Sequence, residues 1–92
     1  MPDQVNTVTV EHLESIIIKE AFIVIPESTV TICMLTLKNG FSVRGESACV
    51  DPKNFSKEVG ETWARKDAFS KLWQLEGYLL KQRLYEAAEA AK

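Results

Sequence analysis

The sequence predicts an α+β fold: a small antiparallel sheet packed against a long C-terminal helix, with a short helix at the N-terminal end. Three observations predict it. The stretch "TLKNGFSVRGESAC" sets Asn39-Gly40 between two alternating runs, the pattern of a β-hairpin. Upstream, "IIIKEAFIVI" is rich in β-branched residues and reads as a further strand. From Ser56 onward apolar residues recur at helical spacing into the alanine-rich "YEAAEAAK".

Taken in order, Thr9 caps a short helix through "VEHLESIIIK", with Leu13, Ile16 and Ile17 on one face. That helix is expected to reach about Lys19, and a strand to follow over about 20–25. Pro26 with "ES" ends the strand in a turn. The hairpin is expected over 29–49. A two-residue Asn-Gly loop takes a type I′ turn, which pairs Thr36 with Val43 and Met34 with Gly45. Under that register the core face is Val30, Ile32, Met34, Thr36, Phe41, Val43 and Cys49. A one-residue slip would invert every position. Cys33 and Cys49 then point to opposite faces and form no internal disulfide.

"DPKNF" follows as a capped turn, with Asp51 as the cap and Pro52 at a first helical position. A continuous helix from Ser56 would run to roughly 50 Å, longer than a compact domain of this size, about 30 Å across. It therefore breaks, with Gly77 as the candidate, or it projects. The chain is expected to be a single domain over 1–92, with 1–8 and 86–92 frayed.

Winding residues 59–84 at about 100° each places Ala64, Ala68, Leu72, Leu75 and Leu79 on one stripe. Phe69, Trp73, Leu80 and Leu84 form a second stripe beside it. Together they span roughly 200°, wider than the ~100° a helix needs to cover one sheet. The surplus predicts a homo-oligomer, with a two-fold dimer favoured and Trp73, Gly77, Leu80 and Leu84 as its interface. The N-terminal helix could instead cover the second stripe.

Arg65, Glu76 and Arg83 interrupt this apolar arc at nearly one helix angle, and Lys66 lies beside Arg65. They read as structural ion pairs and snorkelling chains, or as a basic pocket for an anionic ligand or an interface network. Trp63, Tyr78 and Tyr85 lie off the main arc and are partner-contact candidates; Trp63 could equally pack under the "DPKNF" turn. No catalytic residue emerges. His12 is the single histidine, no metal-ligand spacing is present, and the scattered glycines form no phosphate loop. No cofactor is expected, and the chain is not expected to be an enzyme.

A formal net charge of −2 argues against nucleic acid as a partner. No stretch is long and apolar enough for a membrane span, and "MPDQVNTVTV" has neither the basic nor the apolar part of a signal peptide. A cytoplasmic location and reduced cysteines are expected.

"LTLKNGFSVRGESACVDPKNF" followed by "GETWARKDAFSKLWQLEGYLLKQRL" resembles the small tailed-phage proteins of the N4 gp-forty-nine / Sf6 gp-sixty-six family. The resemblance covers about residues 15 to 84. Its most specific pieces are Asn39-Gly40-Phe41, Ser47-Ala48-Cys49, Asn54-Phe55 and Leu75-Glu76-Gly77-Tyr78-Leu79-Leu80. It implies a phage or prophage origin and expression inside a bacterium, and brings no catalytic residues with it. The leading expectation is thus a non-enzymatic phage accessory protein that binds a host protein during infection. A second is an oligomer that sequesters a small anionic nucleotide near Arg65, Lys66 and Arg83. A third, nucleic-acid binding through Lys38, Arg44 and the long helix, ranks last.

Overall fold

The computed structural model describes residues 7–92, so the expected fraying of residues 1–6 lies outside the described residues. Helix α1 (Val10–Ile16) leads into strands β1 (Ile17–Val24), β2 (Val30–Leu37) and β3 (Ser42–Ala48). A single 3₁₀ turn over Pro52–Asn54 precedes the long helix α2 (Lys57–Ala90). The strands form one antiparallel sheet in the order β1-β2-β3. The α+β architecture is as expected, and α2 runs to Ala90. Among the described residues no helix is long and apolar enough to cross a membrane.

The caps follow from side-chain chemistry. The Thr9, Asp51 and Ser56 side chains accept from His12, Lys53 and Val59 backbone N–H groups, satisfying donors that the first turn leaves free. Helix α1 ends at Ile16, earlier than Lys19. Three consecutive isoleucines favour extended backbone, and Ile17 onward finds β2 as a partner. A bulge between Ile17 and Lys19 absorbs the transition.

The hairpin register is one residue away from the type I′ expectation. Thr36 pairs with Ser42, Leu35 with Val43 and Cys33 with Gly45. Leu37 N–H donates to the Phe41 carbonyl at 2.9 Å and Gly40 N–H to the Leu37 carbonyl at 2.9 Å, so the loop has three residues. Gly40 alone in the loop takes positive φ, at 92°, as a type I turn closed by a G1 bulge requires. Asn39 accepts from Phe41 N–H through its side chain at 3.0 Å instead of adopting the left-handed conformation.

The slip inverts the faces of β2 alone. Thr31, Cys33, Leu35 and Leu37 are buried toward α2, while Met34 is exposed and Val30, Ile32 and Thr36 are half-buried on the other side. Val43 and Gly45 of β3 face α2 in either register, and Phe41 is exposed at that end of the sheet beside Leu75. Of the expected core face only Val43 is fully buried, and Cys49 is half-buried at the strand's end. Both cysteines are free, for a reason other than opposed faces. Cys33 lies across from Gly45, four residues from Cys49, which is roughly 13 Å along a strand and beyond disulfide reach. Burial, and then Glu20, pushes the Cys33 thiol up, so it is a packing residue rather than a nucleophile.

Replacing Gly40 with valine is expected to cost about 1–2 kcal/mol, because no side chain contact compensates a β-branched residue at positive φ. A urea titration would show a lower midpoint with an unchanged slope.

The core has two connected parts. Leu13, Leu37, Val43 and Leu72 join α1, the sheet and α2, with Val8, Ile16 and Phe69 packed around them. Cys33, Leu35, Ala64 and Ala68 form the second part, where helix and sheet approach closely. Helix α2 packs mainly on β3 and β2. The outer edge of β3 is tied to it, since Glu46 N–H donates to the Asp67 carboxylate at 2.9 Å. That bond, with Lys71 helping, lowers the Asp67 pKa. The bond occupies one of the donors that an edge strand leaves free.

Thr31 is fully buried, and its hydroxyl has no partner among the described residues. An unsatisfied buried hydroxyl is destabilising, so Thr31→Val is expected to raise stability by about 1 kcal/mol. The melting temperature should rise by roughly 4–8 °C for a domain of this size.

Candidate partner-binding surface

Helix α2 answers the length question by projecting. It continues through Gly77 without a break, and the protein measures 60 × 22 × 19 Å. Leu72 is the last fully buried residue of α2. The helix beyond it extends for roughly 27 Å at 1.5 Å per residue.

Two apolar faces run along this distal half. One carries Leu75, Tyr78, Leu79 and Tyr85, all exposed, with Tyr78 at 71%. Their spacing of three, four and seven residues keeps them on one side of the helix. The other carries Trp73, Gly77, Leu80 and Leu84. Trp73 and Leu84 are exposed, while Leu80 is half-buried where Thr7, Val8 and Thr9 approach. The N-terminal segment thus covers part of the second stripe, as Phe69 packing beside Leu13 also shows. Nothing lies within 4 Å of where a side chain on Gly77 would stand. Gly77→Ala is therefore expected to stabilise the fold by about 0.5–1 kcal/mol, through helix propensity alone, in thermal melts.

The charges do not assemble into one cluster. Arg65 donates to Glu14 at 2.9 Å and to Glu20 at 3.0 Å, bridging α2 to α1 and β1, and its guanidinium lies 5.6 Å from the Phe69 ring centre. The bonds from Glu20 and Glu14 raise its pKa further above its already high value. Glu76 lies eleven residues on, roughly 16 Å along the helix, and accepts from His12 Nε2 at 2.8 Å. Arg83 is exposed beside that pair, in a cleft with Leu80. Lys66 sits over the Trp63 ring at 4.6 Å. Trp63 lines a cleft with Asn54 and Phe55, beside the "DPKNF" turn, yet keeps 57% of its surface exposed.

Spacing along the chain could not reveal Glu14, Glu20 and His12 as partners, because they come from elements that only the tertiary fold brings to α2. Between α1 and α2 runs a groove of about 550 Å³, floored by Val10, Phe69 and Trp73 and rimmed by Glu14, Arg65 and Lys66. Among the described residues no cluster of histidine, cysteine and carboxylate side chains could hold a metal ion.

The family model for the phage protein (N4 Gp49/phage Sf6 gene 66) family matches residues 8–84. The chain belongs to that family. The match begins at Val8 rather than near residue 15, so the family's span includes α1 and the segment that meets Leu80. It ends at Leu84, within the projecting helix, so the family's span contains both distal faces except Tyr85. No curated protein and no solved structure matches the chain.

Proposed function

We propose that this phage-family protein is a non-enzymatic accessory factor that binds a host protein in the bacterial cytoplasm during infection. The observation that carries the reading is the distal face of α2, where Tyr78, Leu79 and Tyr85 stand exposed beyond Leu72, the helix's last fully buried residue. They continue from Leu75, which is exposed beside Phe41 and Val43 at the end of the sheet. Burying such side chains is worth roughly 1.5–3 kcal/mol each, and their spacing suits insertion of the helix into a partner's groove. Tyrosines favour contact surfaces because an apolar ring carries a polar tip.

The nucleotide-sequestering alternative has less support. Arg65, the central cation of the expected pocket, is already balanced by two carboxylates, and Lys66 is engaged by Trp63. An anionic ligand would have to displace both arrangements.

A photo-crosslinking residue at position 78 or 79, introduced during infection, is expected to trap one discrete host polypeptide. The same residue at Lys53, at the opposite end of the molecule, should trap none. Absence of a discrete adduct at 78 and 79, or equal trapping at 53, would overturn the reading.

A further inference from the structure

The register leaves the sheet with a face that nothing among the described residues covers. Helix α2 packs on the side of Cys33, Leu35 and Val43, and the opposite side lies open. Its two central rows are Ala21–Met34–Arg44 and Ile23–Ile32–Glu46, read across β1, β2 and β3. Ile23 is 55% exposed and Met34 38%. In these two rows the β1–β2 half is apolar, and β3 adds one cation and one anion that take part in no ion pair among the described residues.

We propose that this face is where two copies of the chain associate, sheet on sheet. The charges select the arrangement. Consider a two-fold axis lying in the interface, perpendicular to the strands, between the two central rows. It sets each Arg44 over the second copy's Glu46 and each Met34 over the second copy's Ile32, with Ala21 over Ile23. Within these two rows every charge meets its opposite and every apolar side chain meets another, while the exposed Lys19, at the end of the face beside Thr36, stays at the rim. An axis parallel to the strands would instead set Arg44 over Ala21 and Glu46 over Ile23, burying both charges unpaired. Packed sheets cross at about −30° because of their twist, and the rows nearest the axis are displaced least. The face is thus complementary to itself, as an isologous contact requires.

The resulting dimer is a four-layer assembly, helix–sheet–sheet–helix, with both projecting helices on the outside. Its contact is independent of the α2 face that the host-binding reading uses. A face three strands wide is small for a permanent interface, so association in the micromolar range is expected.

Sedimentation from roughly 1 to 200 µM, spanning that range, tests the proposal. The parent protein should pass from monomer to dimer. Ile23→Glu, at an exposed position, should remain monomeric with an unchanged circular dichroism spectrum. Arg44→Glu and Glu46→Arg each place like charges opposite one another and should weaken the dimer about tenfold or more. The double variant carrying both reversals restores opposite charges and should recover parental affinity. A parent that stays monomeric throughout, single reversals without effect, or a double variant no better than the weaker single would overturn it. Dissociation by Leu80→Glu and Leu84→Glu but not by Ile23→Glu would also overturn it, and would move the contact to the second stripe of α2.

Discussion

Replacing Gly45 by alanine is expected to destabilise the protein by about 3 kcal/mol or more, at the upper end of what added core volume costs. Gly45 lies on β3 across from Cys33, directly under α2. A methyl group built there would collide with the Ala68 backbone N and the Ala64 carbonyl, and would lie 2.7 Å from the Ala68 Cα. Backbone cannot rotate aside as a long side chain can, so the helix would have to lift off the sheet. Lifting it would also strip Cys33, Leu35, Ala64 and Ala68 of their contacts, since they form the core on either side. Urea titration of Gly45→Ala should show a large fall in midpoint, well beyond that of Gly40→Val, although valine is the bulkier replacement. A Gly45→Ala protein as stable as its parent would mean that helix and sheet do not approach this closely.

Leu72→Ala is expected to cost about 2–5 kcal/mol, the range for truncating a fully buried leucine. Leu72 has no exposed surface and packs with Leu13, Leu37 and Val43, so one side chain joins α1, β2, β3 and α2. Domains of this length are stable by only roughly 5–14 kcal/mol, so the loss is a large share of the total. Collapse into the cavity is hindered because the lining comes from four elements that cannot all move inward together. Leu79→Ala, two stripe positions further along, should cost under about 1 kcal/mol, since its side chain is already 38% exposed. The contrast can be read from thermal melts, where each kcal/mol corresponds to about 4–8 °C at this size.

These effects divide along the line between local and distant information. The helical period of α2, its start near Ser56, the capped "DPKNF" turn and the Thr9 cap were all legible, because each is decided within a few residues. Of the α2 stripe Ala64, Ala68, Leu72, Leu75 and Leu79, the first three are buried and the last two exposed, because the period shows which side faces the sheet and not where the sheet ends. Its alanines also had a meaning that their own spacing did not reveal: they leave room for Gly45. Recognising that required knowing which strand lies beneath them.

The sequence by itself determined the α+β class, the family, the number of major elements and the inward stripe of α2. Periodicity, capping chemistry and turn residues act over a few positions, so the chain carries them openly. Only the tertiary structure decided the hairpin register and the assignment of its faces. Asn-Gly suits a two-residue type I′ loop and also a three-residue loop with Gly40 in the G1 position, and these differ by one residue in pairing. The alternation that usually arbitrates was silent, because Val30, Ile32 and Met34 are as apolar as Cys33, Leu35 and Leu37. Gly45 and Val43 face α2 under either register, so the close approach at Ala64 and Ala68 does not choose between them. The three-residue loop, with Gly40 alone at positive φ, sets Cys33, Leu35 and Leu37 of β2 beside them under α2. The same choice turned Met34, Ile32 and Ile23 outward and left an apolar sheet face open. The charge pairs followed the same rule: Arg65 with Glu14 and Glu20, and His12 with Glu76, meet because packing brings distant segments together, and spacing within α2 carries no trace of them.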